Sequence, residues 1–277
     1  MISLPSSTYY YQGLVPAELR EKQDAELRAH IERVQMTHPK SGYRTVREYL
    51  ERAGIHAGER KIRRIMRKFG LRARVRRFIV RTTDSRHGYQ VYPNLLLGLR
   101  VTCLNQVWVA DITYIHIENG FVFLAVILDL YSRKVIGWNV MKSLETDLTL
   151  GALNMALARR KPEAGLIHHS DRGVQYLSHR YTERLRENKI RISNSAKGNP
   201  YDNAFMERFM RTLKEEEVHL ANYQTYLDVL EHLPDFIEEV YNKKRVHSAL
   251  GYLTPEEMES LVTEKSTQVA DRFDIQF

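Results

Sequence analysis

From Val107 to Ile115 both alternating faces of the chain are mostly apolar, the pattern of a strand buried on both sides of a sheet. Around it the pattern predicts strands over 107–117, 121–130 and 133–141, the first two joined at Glu118-Asn119-Gly120, where Asn-Gly supplies a hairpin turn. A helix over 144–160, a strand over 165–170, a helix over 178–188 with an N-cap signal at Ser178, and a strand over 190–194 follow. Three antiparallel strands followed by alternating helices and strands predict an α/β unit with a mixed sheet flanked by helices. Further on, Phe205, Met206, Phe209, Met210 and Leu213 share one helical arc, while Asn203, Glu207, Arg211 and Lys214 share the adjoining one. A helix through Leu227, Leu230, Leu233 and Phe236 to Tyr241 is expected to be interrupted at Pro234, and a last short helix starts at Thr254-Pro255 with Thr as N-cap.

Ahead of the strands the period changes to that of helices. Ala17 to Thr37, Tyr43 to Ala53 and Glu59 to Phe69 are expected as three helices, the second closed by Gly54 and the third by Gly70. The third keeps Ile62, Ile65, Met66 and Phe69 on one face and Arg60, Arg63, Arg64, Arg67 and Lys68 on the other. Two short helices around a Gly-containing turn, the second one basic, fit a helix-turn-helix. The division read from these patterns is a helical DNA-binding region over 1–85, a linker over 86–104, an α/β core with C-terminal helices over 105–262 and a tail over 263–277.

Charge sharpens this division. The chain has 277 residues and a formal net charge of +8. Residues 1–100 hold 21 Lys and Arg against 9 Asp and Glu, so the basic surplus is N-terminal. It peaks between Arg60 and Arg81, where 11 of 22 residues are basic and none is acidic, a footprint for polyphosphate. Arg72 lies inside this run, and Lys197, in the polar loop Lys197-Gly198-Asn199-Pro200-Tyr201-Asp202-Asn203, is a further candidate DNA contact beside Arg211 and Lys214. The single cysteine, Cys103, excludes an internal disulfide and a Cys-based zinc module and fits a reducing compartment. The longest apolar run, Phe121 to Leu128, is far too short to cross a membrane, so a cytoplasmic, nucleoid-associated protein is expected.

Three acids stand out against this background. Asp111 interrupts the buried strand, where an unpaired charge costs on the order of several kcal/mol and calls for a cation, donors or an open cleft. Asp171 follows the strand ending His168-His169-Ser170, at the carboxyl end where ligand sites of open α/β sheets gather. Glu207 lies on the amphipathic helix, with 35 residues between it and Asp171, and Lys214 two turns beyond it on the same side. Each acid taken singly also fits a capped strand end, a surface turn or a solvated helix face. The adjacent His168 and His169 read first as packing or polar surface, and Asp129, at the end of the second strand, as a structural acid.

Taken together these segments resemble the catalytic core of retroviral-integrase-like (DDE) transposases, and most closely the second-frame OrfB protein of the bacterial insertion-sequence-three family. The resemblance rests on Trp108 to Ile115, Leu128 to Trp138, His169-Ser170-Asp171-Arg172-Gly173-Val174-Gln175-Tyr176, Asn199 to Ala204 leading to Glu207, and His247 to Tyr252, with the 35-residue gap and the Lys seven positions past the Glu. It implies a ribonuclease-H-like core and a magnesium-dependent polynucleotidyl transferase that cleaves DNA at insertion-sequence ends and joins the freed 3′-hydroxyl to target DNA. It further implies Asp111, Asp171 and Glu207 as catalytic acids holding two Mg²⁺ ions, for which Mn²⁺ can substitute, and no organic cofactor. The implied partners are double-stranded DNA, as terminal inverted repeats and target, a second copy of the chain on that DNA, and a protein from the upstream reading frame. A non-catalytic DNA-binding regulator and a ribonuclease-H-like nuclease without strand joining are the alternatives.

Overall fold

The computed structural model describes residues 17–38, 41–71, 88–196 and 203–264. The chain divides into two compact units, Met1–Val75 and Arg76–Phe277.

The first unit is three helices, α1 (Ala17–Thr37), α2 (Tyr43–Arg52) and α3 (Glu59–Lys68). Leu27 and Ile31 of α1 meet Val46 and Leu50 of α2 and Ile62, Ile65 and Met66 of α3 in one buried cluster. Helices α2 and α3 both end in the same way. Gly54 and Gly70 take positive φ (74° and 67°), and the next amide reaches back to the last turn, from Ile55 to the Leu50 carbonyl and from Leu71 to the Met66 carbonyl, each at 2.8 Å. Arg64 crosses from α3 to α1, where its guanidinium donates to both carboxylate oxygens of the buried Asp24 at 2.8 and 2.7 Å.

The second unit is built on a five-stranded sheet, ordered β3-β2-β1-β4-β5, from β1 (Val107–Ile117), β2 (Gly120–Asp129), β3 (Val135–Met141), β4 (Ile167–Ser170) and β5 (Arg191–Asn194). The first three strands are antiparallel, and β4 and β5 run parallel to β1. This is the mixed, ribonuclease-H-like sheet expected from the sequence. Both faces are covered, as the apolar run in β1 requires. Trp108 and Ala110 pack with α4 (Thr146–Arg160) and α6 (His179–Glu187) on one side. On the other, Val107, Val109 and Ile115 pack with α7 (Ala204–Leu213) and α8 (Tyr226–Asp235). Between β4 and α6 lies one short helical turn, α5 (Val174–Leu177). Helix α9 (Pro255–Glu264) starts with Thr254, whose hydroxyl accepts from the Glu257 amide at 3.1 Å.

Two expectations are corrected. Pro234 does not interrupt the eighth helix, because α8 carries on into a π-helical turn, Phe236–Tyr241, whose altered bonding absorbs the missing proline N–H. Residues 88–104, read from sequence as linker, lie against the second unit. Leu96 and Val101 are fully buried in its core, and the Tyr92 and Leu95 amides donate to the Asn194 and Ser193 side chains at 2.9 Å each. The Pro and Gly in that segment mask two core residues that follow no helical or strand period.

Candidate active site

The register between β1 and β4 sets the site. Val109 is the partner of His169 in the parallel pair, so two residues further along, Asp111 and Asp171 stand at the same level. Asp171 follows directly on the last residue of β4, and neighbouring strands lie about 4.8 Å apart. Strand β4 ends at Ser170, so β1 loses that strand neighbour at the level of the acids. Each acid is oriented by local donors: the Ile112 amide donates to Asp111 Oδ1 at 2.8 Å, and the Gly173 amide to Asp171 Oδ1 at 2.9 Å. The fit is close, since a Cβ at Gly173 would stand 3.0 Å from that oxygen. The Asn194 side chain ties the Asp171 carbonyl to the end of β5 at 3.2 Å.

Helix α7 brings the third acid. Its start is fastened to β1 by the Asn203 amide, which reaches the Ala110 carbonyl beside Asp111 at 3.5 Å, and Met206, Phe209, Met210 and Leu213 hold its other face on the sheet. Glu207 is left exposed one turn beyond Asn203. After Leu213 the helix widens into a π-helical turn, Lys214–Val218. Lys214 opens that turn, with its ammonium 4.4 Å from the centre of the Tyr114 ring.

Asp111 is half-buried, crowded by protein on most sides yet open on one. Burial first, then the charge of Asp171, pushes its carboxyl up to about 7; Glu207 adds to the rise, while the Ile112 amide and Lys214 oppose it. The charges of Asp171, Glu207 and Lys214 therefore all act on Asp111. Among the described residues no three His, Cys, Asp or Glu side chains are gathered closely enough to hold a metal ion. Asp111 and Asp171 are brought together by the strands, and Glu207 stands in the same field on a separate helix. Like charges crowded at a half-buried position without full compensation are the donor set a hard divalent cation fits.

The neighbouring residues separate by role. His168 and His169 are fully buried, hydrogen-bonded to the Tyr181 hydroxyl (2.9 Å) and to Ser193 Oγ (2.8 Å). Burial, then His169, drives His168 down to about 3, so it stays neutral and serves packing. Asp129 accepts from the Asn105, Tyr131 and Ser132 amides at 2.7, 2.9 and 3.0 Å and organises the turn from β2 to β3. Of the candidate DNA contacts, Arg60, Arg63, Arg67, Lys68 and Arg211 are exposed, whereas Arg64 is engaged with Asp24. Arg72, Lys197 and the loop 197–202 lie outside the described residues. The sequence reading gave no role to Asn203 or to the Tyr114 ring; the polar Asn at the helix entrance and the aromatic in β1 were their only signals.

Family models described as Integrase core domain match residues 101–200 and 188–255, and one described as HTH-like domain matches residues 21–78. The chain is similar to the transposase for insertion sequence element IS904 of Lactococcus lactis, 36% identical over 79% of this chain and 88% of that protein. It is 37% identical to the insertion element IS600 31 kDa protein of Shigella sonnei, over 88% of this chain and 92% of that one. Transposase InsF for insertion sequence IS3A of Escherichia coli is 40% identical over 70% of this chain and 68% of that protein. Among solved structures it resembles the catalytic core domain of BIV integrase at 20% identity, with a TM-score of 0.44 over 59% of this chain and 99% of that one.

Proposed function

The chain belongs to the IS3 family of transposases, and from that premise we propose that it cleaves and joins DNA with Asp111, Asp171 and Glu207 as its metal-holding acids. The observation that supports this reading is the placing of Asp111 in β1 and of Asp171 directly after the end of the adjacent, parallel β4, with the helix of Glu207 tied to β1 through Asn203. In such a site Mg²⁺, or Mn²⁺ in its place, supplies charge neutralisation at the scissile phosphate and an acidified water or hydroxyl. Asp111, Asp171 and Glu207 are the side chains that would hold the ions. The half-burial of Asp111 limits water around it, and the Gly173 amide holds one oxygen of the Asp171 carboxylate in place.

Water first displaces the 3′-oxygen at the element's end, and the freed 3′-hydroxyl then displaces an oxygen at a target phosphate in the same site. Both steps are in-line substitutions at phosphorus, so no covalent protein intermediate is required. Lys214 and Arg211 take phosphates along α7, while Arg60, Arg63, Arg67 and Lys68 grip duplex backbone from the helical unit. The DNA is the terminal inverted repeats and the target. Joining two ends calls for at least two copies of the chain on DNA, and a protein from the upstream reading frame is the expected aid to end recognition.

The test is a product assay on paired end DNA with Mg²⁺. Asp111→Asn, Asp171→Asn and Glu207→Gln are each expected to abolish cut and joined products while DNA binding persists. Joined product surviving any one change removes that residue from the assignment, and cut DNA that is never joined by the wild type favours a plain nuclease.

A further inference from the structure

Arg133 lies in the turn from β2 to β3 and takes no part in the chemistry described so far. Its backbone is left-handed, at a φ of 64°, and its amide donates to the Asp129 carbonyl at 2.9 Å. The Asp129 carboxylate also holds the Tyr131 and Ser132 amides, so the turn that carries Arg133 is braced along its length. The side chain is buried, and its Nη1 has no hydrogen-bond partner. Burial pushes the guanidinium down to about 10, against Tyr241 and Asp129, so it stays charged at neutral pH. An incompletely paired buried cation is costly to a fold, which makes its neighbours informative.

Its close neighbour is Phe205. The guanidinium carbon stands 3.6 Å above the centre of that ring, a cation–π stack between the turn and another element. Phe205 belongs to the first turn of α7 and packs against the cluster that Leu130, Tyr131 and Met206 share. Glu207 comes two residues later, about 200° round the helix axis, so the ring and the acid leave α7 on opposite sides. One turn before the acid, Asn203 ties the helix start to the Ala110 carbonyl of β1 at 3.5 Å. The first turn of α7 is thus held by β1 at its start and by Arg133 from behind, and a roll that moved Glu207 would strain both holds.

We propose that Arg133 is a positioning residue, whose guanidinium, carried by the braced β2–β3 turn, stacks on Phe205 and so fixes the angle at which α7 presents Glu207. The proposal rests on the reading of Glu207 as a metal-holding acid. Arg133 itself touches neither metal nor DNA; it acts through the ring of Phe205.

Rate and stability separate this role from plain packing. Arg133→Met keeps an extended side chain and removes the charge and the planar fork. In the full-length chain it is expected to slow single-turnover cleavage and joining of paired end DNA with Mg²⁺ roughly ten-fold at saturating DNA, as a small displacement of a reacting group implies. Its affinity for that DNA should be unchanged, and its stability in urea unchanged or higher, since a poorly paired buried charge is removed. Phe205→Leu should show the same rate loss and Phe205→Tyr, which keeps the ring, the wild-type rate. The double variant of Arg133→Met with Phe205→Leu should be no slower than either alone, because both break one contact. A wild-type rate in Arg133→Met, a rate loss accompanied by lower stability, or losses that multiply in the double variant overturns the proposal, and leaves the acid assignment standing where Glu207→Gln is inactive. Cleavage and joining that survive in Glu207→Gln overturn that assignment and this inference with it.

Discussion

Arg64 reaches from α3 to Asp24 of α1 and binds both carboxylate oxygens, so a residue from the most basic stretch of the chain acts as a strut within its own unit. The Arg64 guanidinium holds Asp24 below the usual carboxylate range. The native state therefore releases this proton more readily than the unfolded state. The stability it contributes is present above the ordinary Asp value and is lost as the pH falls through the lower, folded value. Arg64→Ala should destabilise the helical unit by about 1–2 kcal/mol, less than a sealed pair because the Arg64 side chain is more than half exposed. Hydrogen exchange of the α1 and α3 amides should report the loss at neutral pH and a smaller difference from wild type in acid.

The same strut divides the basic face of α3. Arg60, Arg63 and Arg67 are exposed and face no carboxylate partner in the described structure, so replacing each by Ala should lower the salt dependence of DNA binding by about 0.9 log unit per lost phosphate contact. Arg64→Ala should change that slope less than any of the three. An Arg64 effect equal to that of Arg67 would mean that the pair with Asp24 opens on DNA.

How far the chain can be read without coordinates follows from where each partner lies. Helix α3 and its stop at Gly70 are local matters of period and a positive φ, and β1 declares its double burial in its own residues. The pairing of Arg64 with Asp24 spans 40 positions and leaves no periodic trace. The three acids are visible as chemistry out of place, but their common level depends on the parallel register of β1 with β4, which only tertiary packing fixes. Leu96 and Val101 escaped notice because irregular backbone carries them into the core, and Pro234 misled because a π-helical turn is not written in residue type.

His168 sets an acid limit on the second unit. It is fully buried and held neutral, with its proton affinity pushed down to about 3, whereas the unfolded chain protonates it near the ordinary histidine value. The unfolded state then binds the extra proton, so stability falls as the pH drops from about 6.5 toward 3, by about 1.4 kcal/mol per unit from this group. Urea unfolding followed by Trp108 and Trp138 fluorescence between pH 4 and 7 should show this slope. His168→Gln should flatten it, at the expense of a lower plateau at neutral pH; an equally steep slope in the variant would assign the effect elsewhere.

Gly137 lets α4 lie close on β3. A Cβ there would stand 2.2 Å from the Ala152 carbonyl oxygen and 2.9 Å from the Ala156 side chain, and backbone cannot yield as a flexible side chain can. Gly137→Ala should destabilise the second unit by about 3 kcal/mol, at the upper end of overpacking effects. A cost below about 1 kcal/mol in the same urea experiment would show that α4 slides to accept the methyl.

Lys214 and Arg211 are on one helix, yet they are held differently, and the difference separates chemistry from grip. Arg211 is exposed, whereas Lys214 is half-buried at the head of the π-helical turn, with its ammonium fixed over the Tyr114 ring and its charge acting on Asp111. A fixed charge beside the acids aids the reacting phosphate at little ordering cost, while an exposed one adds mainly to affinity. Lys214→Gln is therefore expected to slow single-turnover strand joining at saturating DNA by roughly ten- to a hundred-fold, a loss of about 1.4–2.7 kcal/mol in transition-state stabilisation, with affinity little changed. Arg211→Gln should weaken binding and spare the rate once DNA saturates. Tyr114→Leu, which keeps Lys214 but frees its ammonium, should fall between wild type and Lys214→Gln in rate. Equal rates in all three variants at saturation would place Lys214 with the binding residues and leave the Tyr114 contact without a part in the reaction.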